Sequence, residues 1–193
     1  MKYKDLFEYS DEYNRNEIKK NNYDIEPMYD ISIIHGKRLS SMFNVDKSVV
    51  LIALALMDSK LPEAVRKGNI KEHVELSHAA AKEILDKVDD ITDEKRTNIL
   101  KCIEEHHGRN EYYSLESELV ANIDCYKFLS IKGIMTYFSI LGRRHNDLEK
   151  ELTQLEFKMD EKFEHLSLDI AKEELTANYE QFKKHIKDCR EDK

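Results

Sequence analysis

Residues that form tight turns are scarce in this chain, and this scarcity most limits what the chain can fold into. Its 193 residues include only five Gly and two Pro, whereas 36% of them are charged. An all-β fold needs many more turn residues, and a high density of charge suits the solvent-facing sides of helices. The composition therefore predicts an all-α fold, and the length predicts one compact domain whose core needs no disulfide.

Charge and cysteine content narrow the classes of function. A formal net charge of -8 argues against binding to extended nucleic acid, because such proteins usually present a basic face to the phosphate backbone. The three cysteines, Cys102, Cys125 and Cys189, form no CxxC pair, which indicates a reducing environment. The longest apolar run, residues 49–57, is much shorter than the ~20 residues of a membrane-spanning helix. We therefore expect a cytoplasmic protein without a membrane segment.

The apolar pattern divides the chain into three parts. Residues 1–26 show weak periodicity and predict a peripheral helix or arm, and residues 27–142 predict the core. Residues 143–193 are strongly charged and predict helices that pack on that core. One stripe in this last part has three- and four-residue spacing and could also pair with a second copy of the chain as a homodimer: Leu148, Leu152, Leu155, Met159 and Phe163.

Polar residues ahead of apolar stretches predict where several helices begin. Asp46, Thr92 and Ser114 are each typical N-caps. Residues 49–57, which follow Asp46, are apolar on all sides, so this helix should be central to the fold. The helix after Ser114 should continue without a break and end at Gly142. Another helix is predicted to bury the apolar positions Ile31, Ile34, Met42 and Phe43.

Three polar side chains lie on the apolar stripes of three different helices: His35, Asp58 and Asp124. An ionised Asp58 at the end of the most apolar helix is penalised by desolvation and by the helix dipole, unless a cation lies nearby. A metal ion bound by all three residues would explain their positions together. Taken singly, each has a structural explanation, because a buried His often pairs with a backbone carbonyl and a buried Asp often caps a neighbouring helix.

These residues occur in an order that resembles the HD superfamily of metal-dependent phosphohydrolases, in particular its small single-domain bacterial branch. The segment YDISIIHGKRL resembles the opening motif of that branch, and SVVLIALALMDSK resembles the buried helix that ends in the signature His-Asp pair. The segments LSHAAAKEIL, ILKCIEEHH and LESELVANIDCYKFLSIKGIMTYF are similar to its later motifs. The resemblance covers roughly residues 28–185 and implies an HD-domain-like orthogonal bundle with additional C-terminal helices.

The resemblance also implies roles for individual residues. In the family, a divalent ion lowers the pKa of its bound water and neutralises charge that grows on the phosphate. Carried over residue by residue, the metal ligands would be His35, Asp58 and Asp124. The catalytic residues would be His106, Glu72 and His73, and the phosphate-binding residues would be Arg38, Lys60 and His107. The implied ion is Mn, Fe, Co, Ni or Mg, and the implied substrate is a nucleotide or a similar small phosphate ester.

Two positions depart from the pattern of the family. Met57 stands where the signature His is expected, and Asn122 stands where the first of two acids is expected. A thioether is a soft ligand that favours copper(I), so Met57 cannot replace that His in a hydrolytic site. Two functions therefore stay open. The retained acids and His35 favour a metal-dependent phosphohydrolase, whereas Met57 and Asn122 favour a non-catalytic HD-like protein that binds a ligand or a partner.

Overall fold

The structure, a computed structural model, describes residues 1–191 and confirms the all-α class. It is 77% helical and has no strand within these residues. No helix in this range is both long and apolar enough to cross a membrane. In chain order the helices are α1 (Leu6–Lys20), α2 (Glu26–Leu39), α3 (Lys47–Leu56), α4 (Leu61–Arg66), α5 (His73–Leu85), α6 (Asp93–Glu105), α7 (Leu115–Leu129), α8 (Ile131–His145), α9 (Leu148–Glu164) and α10 (Asp169–Glu191).

Helices α3 and α7 form the centre of the bundle. Helix α3 packs against α1, α2, α6 and α7, and α7 also contacts α8, α9 and α10. The side chains of α3 are buried on almost every side, which confirms the prediction made from its apolar sequence. The carboxylate of Asp46 accepts hydrogen bonds from the backbone N–H groups of Ser48 and Val49, which confirms the predicted N-cap. The hydroxyls of Thr92 and Ser114 cap α6 and α7 in the same way.

The N-terminal segment belongs to the packed bundle. Helix α1 buries Leu6, Asn14 and Ile18 and packs against α3. The amino group of Met1 donates to the backbone carbonyl of Lys87, which joins the start of the chain to the segment after α5. Pro27 lies in the first turn of α2, where its missing N–H leaves no helical hydrogen bond unmade.

The buried face of α2 differs from the predicted face. Ile31 is buried, but Ile34 and Met42 are 54% and 56% exposed, so the prediction was wrong for these two residues. Helix α2 ends at Leu39 and does not reach Met42. The positions that α2 buries are Met28, Tyr29, Ile31, Ser32, Ile33, Gly36 and Leu39. The buried face of the helix is therefore rotated away from Ile34 and relative to the predicted face.

A break at Ser130 separates α7 from α8, which the sequence predicted to be one helix. Ser130 has an extended backbone (φ -73°, ψ 149°), and its hydroxyl accepts a hydrogen bond from the N–H of Gly133, so it caps α8. Apolar residues continue across the break, and periodicity therefore could not reveal it. Gly142 lies inside α8, and the helix ends instead at His145, followed by the C-cap Asn146, whose φ of 49° is left-handed.

Helix α9 packs on α7 and α8 and carries the predicted apolar stripe, in which Leu152, Leu155 and Met159 are buried. The turn from α9 to α10 is held by the side chain of Asn122. The Oδ1 atom of Asn122 accepts hydrogen bonds from the N–H groups of Ser167 and Leu168, both at 3.1 Å. Its Nδ2 atom donates to the hydroxyl of Ser167 at 2.7 Å. Asn122 therefore has a structural role at the position where the family pattern has an acid.

Candidate functional site

Two of the predicted metal ligands, Asp58 and Asp124, converge on a buried lysine. The ammonium nitrogen of Lys127 lies 2.6 Å from Oδ2 of Asp58 and also contacts Oδ1 of Asp124. Asp58 follows the end of α3, whereas Asp124 and Lys127 lie one helical turn apart on α7. The two acids therefore meet in the interior, and the cation between them is an ammonium group of the chain itself.

A second lysine reaches the same carboxylate from α9. The ammonium nitrogen of Lys162 lies 2.6 Å from Oδ2 of Asp124, and the Lys162 side chain is only 1% exposed. Burial alone would raise the pKa of Asp124, but the charges of Lys127 and then Lys162 hold that pKa far below its usual range. Burial likewise opposes the charge on Lys127, and Asp124 and Asp58 more than compensate and raise its pKa. These buried groups are therefore ionised and paired.

Three histidines lie on the other side of Asp58. His73 begins α5, and His106 and His107 follow the last residue of α6. The Nε2 atoms of His73 and His106 lie 3.5 Å and 3.6 Å from Oδ1 of Asp58. One ring nitrogen from each of the three histidines lies within 4.8 Å of the other two, a grouping found at one place within residues 1–191. A cluster of this kind can hold a metal ion.

Hydrogen bonds define the protonation of these rings. The Nδ1 atoms of His73 and His106 each lie 2.7 Å from the backbone carbonyl oxygen of the residue three positions earlier. A carbonyl can only accept, so Nδ1 carries a proton in both rings. The ammonium of Lys162 donates to Nδ1 of His107 at 3.1 Å, and Nε2 of His107 therefore donates to Nε2 of His73 at 3.0 Å.

The rings of His73 and His107 are consequently neutral. Burial, with smaller contributions from His106 and Lys162, lowers the pKa of His107 to about 2. Burial also lowers the pKa of His73, although the charge of Asp58 opposes this change. The Nε2 atom of His106 is buried and has no hydrogen-bond partner in the described part of the chain. This nitrogen is the unsatisfied ring atom of the histidine cluster.

A cavity of about 150 Å³ lies beside these residues. Its floor is polar and includes Asp58, Asp124, Lys127, Lys162 and His107. Its walls are mainly apolar and include Ile25, Met28, Met57, Leu61, Tyr137 and Ile140. Because Met57 lines this cavity, the position where the family has its signature His does face the site.

His35 is not brought to this cluster, which corrects the predicted set of metal ligands. Its ring stacks on Tyr126, with ring centroids 4.2 Å apart, and its Nδ1 atom lies 3.4 Å from Arg38. Arg38 forms two hydrogen bonds to Glu174 on α10, at 2.8 Å and 2.5 Å, and does not line the cavity. The physical reason is that the His35 ring packs on Tyr126 of α7 beside Arg38. His35 and Arg38 join α2 to α7 and α10 and are not placed to bind the same ion or phosphate as Asp58.

Two further predicted residues lie outside the cavity lining. Glu72 is exposed at the end of the short 3₁₀ turn before α5. The ammonium of Lys60 lies 2.8 Å from the carboxylate of Glu17, and the chain therefore uses it to join the start of α4 to α1. Of the predicted site residues, the structure brings together Asp58, Asp124, His73, His106 and His107.

Sequence reasoning missed Lys127 and Lys162, which supply the positive charge of the site. A signal for Lys127 was present, because α7 is buried on nearly every side and a lysine within it needs an acidic partner. Lys162 lies one turn after Met159 on the stripe of α9 that packs on the core, which is an equally unusual place for a lysine.

Comparison of the chain with protein-family models, with curated proteins and with solved structures finds no match in any of the three. The function is therefore argued from the chemistry of the site.

Proposed function

We propose that this protein is a non-catalytic, HD-like ligand-binding protein in which a lysine ammonium takes the place of the metal ion. The contact of Lys127 with both Asp58 and Asp124 carries the proposal. A divalent ion between the same oxygens would have to displace this ammonium. The displaced ammonium would then be a buried positive charge close to the ion, which is unfavourable in a medium of low dielectric constant.

Two neighbouring side chains support this proposal. Lys162 contacts the other oxygen of Asp124, so both oxygens of this carboxylate are already paired with cations. Met57 is 1% exposed and lines the cavity with a thioether, which is a poor ligand for the ions of hydrolytic sites. Breaking a buried ion pair costs roughly 3–5 kcal/mol, which binding of a metal ion here would have to offset.

Metal analysis of the purified protein, followed by assays of phosphate esters with added Mn, Ni, Co or Mg, tests the proposal. We expect no turnover that depends on metal. Metal-stimulated turnover that is abolished in Asp124→Asn would contradict the proposal. The matched control is Asp169→Asn, because the Asp169 side chain is 94% exposed and does not line the cavity.

The unpaired Nε2 atom of His106 favours a second candidate, a metal-dependent phosphohydrolase whose ion is bound by the histidines. The Nε2 atoms of His107 and His73 lie 3.0 Å apart, and one ring nitrogen from each of the three histidines lies within 4.8 Å of the other two, which suits three ligands of one ion. Catalytic zinc sites of this kind use three protein ligands and keep one position open for water. His73, His106 and His107 would hold the ion, which would supply an activated water and a Lewis acid.

This second candidate requires one rearrangement. The Nε2 atom of His107 carries a proton as long as Lys162 donates to Nδ1, so binding of an ion requires Lys162 to turn away or to lose its proton. Calorimetric titration with Zn²⁺, Ni²⁺ and Mn²⁺ separates the two candidates. Binding that is lost in His106→Ala but kept in the control His145→Ala, together with turnover, would support the hydrolase. We expect wild-type protein to show no turnover.

A further inference from the structure

The walls of the cavity are apolar and come from five parts of the fold. Ile25 precedes α2, Met28 lies on α2, Met57 follows α3, Leu61 begins α4, and Ile140 lies on α8. The volume of about 150 Å³ equals that of apolar protein cavities that take up benzene. These walls therefore suit an apolar body of about six to ten non-hydrogen atoms.

The floor of the cavity is polar but neutral. Lys127 and Lys162 together balance Asp58 and Asp124, to which they are paired. The histidines of the floor are neutral, as their hydrogen bonds show. An anion on this floor would meet two carboxylates as well as two ammonium groups, so the floor gives little net attraction for a charged ligand group.

The rim of the cavity carries an uncompensated positive charge. Lys158 pairs with Glu161 at 2.8 Å, whereas Arg144 has no ion-pair partner in the part of the chain that the structure describes. Its guanidinium carbon lies 4.7 Å from the ring centroid of Tyr23. Stacking of this kind leaves the N–H groups at the edge of the guanidinium free to bind a carboxylate or a phosphate. The adjacent Arg143 is exposed and pairs with Asp24 at 2.6 Å.

From these features we infer that the cavity binds a small apolar molecule with one anionic head group, its ring or short chain between the apolar walls and its head on Arg144. The inference rests on the proposed ligand-binding function and names the class of ligand. Carboxylates and phosphate monoesters of this size share the required chemistry. A basic residue in the last turn of a helix also interacts favourably with the helix dipole, and the experiment separates this role of Arg144 from ligand binding.

Calorimetry with a matched set of probes tests the inference on the full chain. The probes are benzoate, phenyl phosphate, benzamide and inorganic phosphate. We expect benzoate or phenyl phosphate to bind at least about tenfold more tightly than benzamide, which lacks the charge, and than inorganic phosphate, which lacks the ring. Tighter binding of benzoate would identify a carboxylate head group, and tighter binding of phenyl phosphate would identify a phosphate head group. Equal affinities for benzoate, phenyl phosphate and benzamide would overturn the inference.

Two adjacent arginines provide the matched variants. Arg144→Gln should weaken binding of the ring anion about tenfold and leave benzamide unchanged, because a bidentate charged contact is lost. Arg143→Gln should change neither affinity. An unchanged affinity of Arg144→Gln for the ring anion would show that Arg144 serves only the helix end and would overturn the inference. Leu61→Trp, which fills part of the cavity, should weaken binding of every ring compound.

The failure of this inference is distinguishable from failure of the proposed function. If no ring compound binds and no metal-dependent turnover occurs, the ligand class is wrong and the metal-free site stands. If metal-dependent turnover occurs, the proposed function is wrong whatever the ring compounds do.

Discussion

The ammonium of Lys127 lies 2.6 Å from Oδ2 of Asp58 and joins the residue after the end of α3 to the last turn of α7. Both helices are central, and both side chains are largely buried, with Lys127 8% and Asp58 14% exposed. The same ammonium contacts Asp124, so one lysine balances two acids from different elements. The paired charges are therefore part of the packed interior, and unfolding experiments can test their contribution to stability.

Replacement of Lys127 by methionine should lower the free energy of unfolding by about 3–5 kcal/mol, because two buried carboxylates lose their shared partner. Urea denaturation measures this change. Lys132→Met is the control, because Lys132 is exposed on α8, and we expect it to change stability by at most about 0.5 kcal/mol. A loss of less than about 1 kcal/mol in Lys127→Met would show that the pair contributes little.

The same variant should reverse how stability depends on pH. In the wild type, burial would raise the pKa of Asp58 and Asp124, but the charge of Lys127, together with smaller contributions from other neighbours, lowers both pKa values, and burial lowers the pKa of His73. Groups with a lowered folded pKa stabilise the protein above their unfolded pKa and lose this contribution as the pH falls through the folded pKa. The wild type should therefore lose stability below about pH 6.5, where histidines protonate in the unfolded chain.

Without Lys127, burial should raise the folded pKa of Asp58 or Asp124. If the carboxylate stays charged instead, its charge should raise the folded pKa of a neighbouring histidine, which then takes up a proton. A group with a raised folded pKa stabilises the protein below its unfolded pKa and loses this contribution as the pH rises. As the pH falls from about 8 to about 5, the free energy of unfolding of Lys127→Met should therefore increase. The free energy of unfolding of the wild type should not increase over the same range. Urea denaturation at both pH values decides, and parallel pH profiles would show that Lys127 does not set the protonation of the acids.

We expect Lys127 to block a metal site that the rest of the chain could rebuild. Met57 lines the cavity next to Asp58, so an imidazole at this position would add a metal ligand. The double variant Met57→His with Lys127→Met should bind Ni²⁺ or Mn²⁺ in calorimetry and gain thermal stability from the ion. Met57→His alone is the control and should bind at least about tenfold more weakly. Equal affinities would mean that the ammonium does not exclude the ion.

Much of the fold could be predicted from the sequence because it depends on local patterns. The N-caps at Asp46, Thr92 and Ser114 and the all-apolar helix α3 were correct, since capping and periodicity act within a few residues. The break at Ser130 was missed because the apolar pattern is continuous across it. The orientation of α2 was wrong because its sequence is apolar on more than one side, and only packing on α3 and α7 selects the buried face.

The candidate site also combines features that could be predicted from the sequence with features that could not. The convergence of Asp58 and Asp124 could be predicted, because buried acids need a cation wherever they lie. The identity of the cation could not be predicted, since a lysine on an apolar helix usually extends its ammonium to solvent. The placement of His35 failed together with the orientation of α2. Lys162 comes from α9, and no local pattern shows that α9 packs against the end of α6.

A last prediction concerns the glycine that lets α8 start directly beside Lys127. A Cβ atom at Gly133 would lie 2.5 Å from the backbone carbonyl oxygens of Tyr126 and Lys127, so Gly133→Ala must push α8 away from the end of α7. We expect a loss of about 1–3 kcal/mol in the free energy of unfolding. Gly142→Ala is the matched control within the same helix, because its Cβ would meet only a side-chain oxygen of Glu151 at 3.8 Å. Alanine stabilises a helix more than glycine does, so Gly142→Ala should increase the free energy of unfolding by about 0.5–1 kcal/mol. Urea denaturation measures both changes in the free energy of unfolding. A loss in Gly133→Ala with a gain in Gly142→Ala would establish that close packing at the α7–α8 junction, and not helix propensity, fixes the segment that carries Lys127. A gain in both variants would refute this conclusion.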